Sequence, residues 1–328
     1  KRMRKKLGIL LGVVMLGMFV LTGCGSDGGA VSDKDVKILL VLNQMDSFRG
    51  TLVEAARKTA EAEGAQFEFK DAEGSIENQV NYLKSAEQEG YNVILCSPVN
   101  PETVVELKAS AGDIPIVFIN SSPDEKQLKE GKYIYAGSDE FVAGQFQAEY
   151  VLDKLAGRQE INVVLLKGEK AHSATAGRTS GVKRTLEESG KTINYVFEDY
   201  ADWDQGLAKH MFEIFLRTGS PVDCVLCEND SMAIGVIEAC KEAGIDLSTL
   251  PVLGVDATAD GCAAIKSGDM AFTVCQSGAG QGEAAVKAGI RFAKGEAVDS
   301  LEGISEDGKY VWVPFEKVDS TNVSQYGN

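Results

Sequence analysis

Apolar residues in this chain fall into two recurring patterns. Short continuous runs such as 36–42, 116–119 and 161–166 read as strands buried on both faces. Between them, positions spaced three and four apart, such as Leu52, Ala55, Ala56, Thr59 and Ala60, read as covering helices that stop near glycines such as Gly64 and Gly90. Strand, polar loop and helix alternate from residue 36 to about 136. The series restarts with a helix carrying Phe141, Ala148, Val151, Leu152 and Leu155, then strands near residues 161, 194, 222, 252 and 270. Two doubly wound parallel sheets in tandem are the expected α/β fold, with a boundary near 137–139. A last helix with Ala285, Val286, Gly289 and Phe292, an acidic loop at 296–307 and one strand at 310–315 return toward the first sheet.

Ligands of open α/β sheets lie beyond the C-terminal ends of the strands. Here those ends are polar. The run 161–166 passes through Lys167-Gly168-Glu169 to His172 and Arg178, 222–228 meets Asn229 and Asp230, and 252–255 meets Asp256. Imidazole, guanidinium, amide and carboxylate groups therefore converge on one expected site.

The N-terminus breaks the alternation. Lys1, Arg2, Arg4, Lys5 and Lys6 precede an apolar run over 7–21, too short and wrongly flanked for a membrane span and right for an export signal. Leu21-Thr22-Gly23-Cys24 resembles a bacterial lipobox, which implies cleavage of 1–23, lipidation of Cys24, and a tether at 24–35 holding the folded part to the extracytoplasmic face of the membrane.

The remaining composition is that of a soluble globular chain of two domains, 328 residues with 44% hydrophobic and 25% charged. Loss of 1–23 removes five cations and no anions, taking the formal charge from -16 to -21. Such a surface excludes nucleic acid as a partner. Cys96, Cys224, Cys227, Cys240, Cys262 and Cys275 have no disulfide spacing and read as buried free thiols. Cys224 and Cys227 sit three apart in one strand, so they face opposite sides and do not form a redox or metal pair.

Together, Val164-Leu165-Leu166-Lys167-Gly168-Glu169 with His172 and Arg178, Asp202-Trp203-Asp204, 228–235 and Gly254-Val255-Asp256-Ala257 carry a family resemblance. The mature chain resembles the type I periplasmic sugar-binding proteins of ABC importers, in the ribose-binding superfamily and nearer its galactose/glucose-binding branch. The resemblance implies two lobes joined by a three-strand hinge, the first from 36–137 and 277–308, the second from 138–276 and 309–328. It implies a monomer that closes on a monosaccharide and presents it to a permease, with no catalysis and no cofactor.

The resemblance assigns roles residue by residue. Asp46 accepts sugar hydroxyls; as sequence alone it is equally a helix-start acid. Phe48 and Trp203 sandwich the ring. Asn120 and a neutral His172 each donate and accept. Arg178 donates to ring oxygens, and its cationic charge at a helix start argues for a role beyond helix stability. Asn229 binds ligand and leaves the helix cap to Asp230. Asp256 accepts from two neighbouring hydroxyls, and Gln276 meets sugar or hinge backbone.

Departures from the branch bear on the ligand. Ala174 stands where the branch has an aspartate. Residues 154–160 lack the acidic calcium loop, so no metal is expected. Arg49 and Asn120-Ser121 differ from the ribose pattern, which favours a hexose such as galactose or glucose, with inositols and other cyclic polyols open. Three other functions compete. A glycosidase needs paired carboxylates, for which Asp46 and Asp256 are candidates, but amides, aromatics and an arginine suit holding rather than proton transfer. A repressor needs a DNA-binding segment where the signal lies. A sugar sensor docking on a chemoreceptor or kinase fits the same residues.

Overall fold

The computed structural model describes residues 35–327; the leader, Cys24 and 25–34 of the tether lie outside them. The first sheet is built from β1 (Lys37–Leu42), β2 (Gln66–Asp71), β3 (Val93–Cys96), β4 (Ile116–Ile119) and β5 (Tyr133–Gly137), with α1 (Ser47–Ala62), α2 (Ile76–Ser85) and α3 (Val104–Ala111) between them. The second follows α4 (Glu140–Lys154) and comprises β6 (Glu160–Lys167), β7 (Thr192–Tyr200), β8 (Cys224–Cys227) and β9 (Val252–Leu253), alternating with α5 (Ser173–Glu188), α6 (Gln205–Arg217), α7 (Asp230–Glu242) and α8 (Ala259–Ser267). After these come β10 (Thr273–Cys275), α9 (Gly278–Lys294), β11 (Tyr310–Trp312) and β12 (Glu316–Val318).

Strand order is β11-β5-β4-β3-β1-β2 in the first sheet and β7-β6-β8-β9 in the second, all pairs parallel. The uninterrupted apolar strands are explained by burial on both faces. Ile38, Leu40 and Leu42 pack with Leu52, Ala56 and Val286, whereas Leu39 and Val41 pack with Val80, Leu83 and Leu107. Cys224 and Cys227 likewise belong to opposite cores and are free thiols, both pushed up in pKa by burial.

The single strand expected at 310–315 is two short strands, the first of which does return to the first sheet. Tyr310–Trp312 hydrogen-bonds in parallel to β5 of the first sheet, and Glu316–Val318 pairs antiparallel with β10 beside the second. The chain passes from one sheet to the other over 313–315. Pro314 lies at the break and has no N–H to continue a ladder. The chain crosses between sheets there, after β5, and between β10 and α9.

One helix contact sets the site geometry. An added Cβ at Gly144 would lie 2.0 Å from the Arg178 carbonyl oxygen, and one at Gly181 2.1 Å from that of Phe141. Helices α4 and α5 thus meet backbone to backbone, which brings Glu140 and Arg178 within reach of each other.

Candidate ligand-binding site

Asp46, Phe48, Arg49, Asn120, His172, Ala174, Arg178, Trp203, Asn229, Asp256 and Gln276 line one cavity between the sheets. All nine residues expected at the site are there. The lips of the cleft meet across it: Gln44 Nε2 donates to Glu169 Oε1 at 3.0 Å, and the Ser122 amide donates to Ser173 Oγ at 2.8 Å.

Backbone conformation is unusual around this cavity. Of the six non-glycine residues with positive φ among those described, three line it, Asn120 (58°), Trp203 (64°) and Asp256 (117°), and two more, Asp202 (49°) and Ala257 (52°), adjoin these in the chain. Such conformations cost about 1–3 kcal/mol each and persist only where the surroundings enforce them. For Asp256 the enforcement comes from Asp230. Its Oδ2 accepts from the Thr258 amide (2.8 Å) and hydroxyl (3.0 Å), its Oδ1 from the Thr273 hydroxyl (2.6 Å), and its own amide donates to the Val255 carbonyl (2.7 Å). Gly254 and Gly261 leave room for this carboxylate, since a Cβ at either would stand 2.2 Å from one of its oxygens. Burial pushes Asp230 up to about 6.

This arrangement corrects the expected cap. Asn229, not Asp230, is the N-cap of α7, its Oδ1 accepting from the Met232 amide at 2.9 Å while Nδ2 donates to the Trp203 carbonyl at 3.3 Å. Asp230 is one residue inside, turned toward the Asp256 turn.

Arg178 is 3% exposed and already well bonded. Its Nε donates to Glu140 Oε2 at 2.8 Å, one terminal nitrogen to the Glu228 carbonyl and the other to Gln276 Oε1 at 3.1 Å. Gln276 Nε2 in turn donates to Glu140 Oε1 at 3.0 Å, so both ends of that amide serve the ion pair rather than hinge backbone. Asp256 Oδ1 lies 4.0 Å from the Arg178 guanidinium, which also sits over the Trp203 ring, 5.6 Å from its centroid. Burial raises the pKa of Asp256 well above the ordinary carboxylate range, against the pull of Arg178.

His172 is the N-cap of α5, with Nδ1 accepting from the Ala174 amide at 3.1 Å. Burial, with Arg49 and Arg178 nearby, lowers its pKa to about 3, so the ring is neutral and its proton resides on Nε2. The expectation that His172 both donates and accepts is thereby corrected: toward the cavity it only donates. Among the described residues Nε2 has no partner, nor does Nε1 of Trp203, whose ring stands edge-on to His172 at 5.6 Å. Trp203 packs so tightly on Gly168 that a Cβ there would lie 2.0 Å from the indole.

The residue that sequence reasoning missed as a site residue is Arg49. It is buried, its Nε donating to Asn120 Oδ1 at 3.1 Å and a terminal nitrogen pairing with Asp46, whose Oδ1 also caps α1 by accepting the Arg49 amide at 2.7 Å. The signal was present in the sequence. Arg49 is the third residue of α1, and a cation in the first turn of a helix opposes the dipole there.

Residues 38–297 match the family model described as periplasmic binding protein domain. The chain belongs to this family. Its relatives include a putative rhizopine-binding protein of Rhizobium meliloti, 28% identical with 88% of this chain and 87% of the relative covered. The D-galactose/methyl-galactoside binding periplasmic protein of Haemophilus influenzae is 30% identical, covering 77% and 78%. Among solved structures, an ABC transporter solute binding protein from Bacillus halodurans with bound myo-inositol superposes with a TM-score of 0.79 at 27% identity, covering 91% of this binding protein and 98% of that chain.

Proposed function

We propose that this binding protein captures a monosaccharide or cyclic polyol of hexose size between its lobes and delivers it to the permease of an ABC importer. It acts as a monomer without catalysis, anchored by lipid on Cys24 at the extracytoplasmic face of the membrane. The observation that carries the reading is the lining of the cavity: two aromatic rings, three amides, two guanidiniums and two carboxylates on two separately built sheets, with buried polar atoms of His172 and Trp203 lacking protein partners. A ring edged with hydroxyls supplies partners for all of these, and its apolar faces suit Phe48 and Trp203. Asp46, both of whose oxygens are engaged by Arg49, is poorly placed as a glycosidase acid.

Thermal unfolding against galactose, glucose, ribose, xylose, arabinose, myo-inositol and a disaccharide tests the capture. Ligand at about 100 times its Kd adds roughly 2.7 kcal/mol, so a single cyclic polyol should raise Tm clearly. A panel flat for neutral sugars and polyols and also for hexuronic acids rejects the reading. For the anchor, Cys24→Ala should release the protein from the cell surface into the medium; retention of the variant at the membrane rejects lipidation.

A further inference from the structure

Donors and acceptors are unevenly distributed in the cavity. Asn120 and His172 stand together, because the residues that follow them touch: Ser121 Oγ and Ser173 Oγ are 3.5 Å apart. Arg49 reaches the same place through Asn120, and Trp203 through its edge contact with His172. At this pole each protein acceptor already holds a hydrogen from the protein itself. Both oxygens of Asp46 and Oδ1 of Asn120 take hydrogens from Arg49, and Nδ1 of His172 takes the Ala174 amide. Ala174 has no polar group to offer. Glu169 lies outside the lining, bonded to Gln44 at the lip.

The unpartnered groups at the pole are donors. Among the described residues His172 Nε2–H and Trp203 Nε1–H have no partner, and the hydrogen bonds of Asn120 and Arg49 engage only the Asn120 oxygen and the Nε and one terminal nitrogen of Arg49. Helix α5 starts here with no acid in its first turn, which adds positive potential. Asp256 is the reverse, a carboxylate in the same lining whose Oδ1 stands 4.0 Å from the Arg178 guanidinium.

From this asymmetry we infer that the ligand is a sugar acid, with a carboxylate in the donor pole formed by Arg49, Asn120, His172 and Trp203 and adjacent hydroxyls on Asp256. A neutral hexose presents a hydroxyl there, whose oxygen can accept from at most two of these donors and whose own proton competes with Arg49 for the oxygens of Asp46 and Asn120. A carboxylate accepts from every donor present and pairs with a guanidinium. The inference rests on the capture of a monosaccharide proposed above and names its chemical class.

Calorimetric titration of the full protein at pH 7.5 with D-galacturonate and D-glucuronate against D-galactose, D-glucose and myo-inositol tests it. One of the acids should bind at least tenfold tighter than every neutral compound. Arg49→Gln should weaken the acid at least tenfold more than it weakens any neutral ligand, and Ala174→Asp, which adds an acceptor at the pole, should reverse the order of acid and neutral sugar. If a neutral sugar or inositol binds and the acids do not, the inference is overturned and the capture function stands. Equal losses of acid and neutral ligand in Arg49→Gln, with no reversal in Ala174→Asp, also overturn it. If neither class binds, both readings fall together.

Discussion

Replacing Arg178 with methionine is expected to lower the unfolding free energy by about 3–5 kcal/mol, the cost of stripping a buried ion pair of one partner. Arg178 and Glu140 are both buried and joined at 2.8 Å, with Gln276 closing the network on both. Burial raises the pKa of Glu140 and the guanidinium opposes that rise, so without Arg178 the carboxylate must either take up a proton or remain charged without compensation. The Glu228 carbonyl also loses its donor. Urea unfolding measures the loss, and a second substitution, Glu140→Leu, should recover part of it by removing the stranded charge. An unchanged urea midpoint in Arg178→Met would show that the pair contributes nothing to stability.

Asp256→Asn should move stability and binding in opposite directions. Asparagine keeps the shape and tolerates the positive φ of 117°, but loses the charge that strengthens hydrogen bonds from ligand hydroxyls by about 1.5–3 kcal/mol, so affinity should fall roughly 10- to 100-fold. The ligand-free protein should become more stable at neutral pH. Burial raises the folded pKa of Asp256, with Asp230, Asp46 and Glu140 adding to it and Arg178 opposing. The folded state therefore holds this proton more tightly than the unfolded chain. Its contribution declines as pH rises from the unfolded value of 3.8 through the raised one. Asparagine removes that decline, so wild type and variant should have similar stability below the unfolded pKa and diverge above it. A melting series from acid to neutral pH, with and without ligand, checks both halves. A variant less stable at neutral pH than wild type would contradict the assignment.

These expectations depend on features of different visibility in the sequence. The strands and their order of appearance were legible because burial on both faces demands continuous apolar runs, as at 36–42 and 161–166. The polar strand ends were legible because the chain must turn polar where it leaves a sheet, and the same nine residues line the cavity. Arg49 was readable but was weighed only for what it was not, an aromatic. The cap at Asn229 was misjudged because either of two adjacent side chains can cap a helix, and backbone direction chooses between them.

By itself the sequence determined the α/β alternation, the places where each strand yields to polar residues, and the inert burial of Cys224 and Cys227. These are consequences of local period and of which side chains water will accept. The tertiary structure alone decided the split of 310–318 between two sheets, since pairing depends on which distant edges are open. It also decided the proton on His172 Nε2, the Arg178–Glu140–Gln276 network and the pole with its unpartnered donors. A hydrogen bond between residues 38 or 136 positions apart is set by packing, here by Gly144 and Gly181 letting two helix backbones touch, and periodicity along the chain carries no record of it.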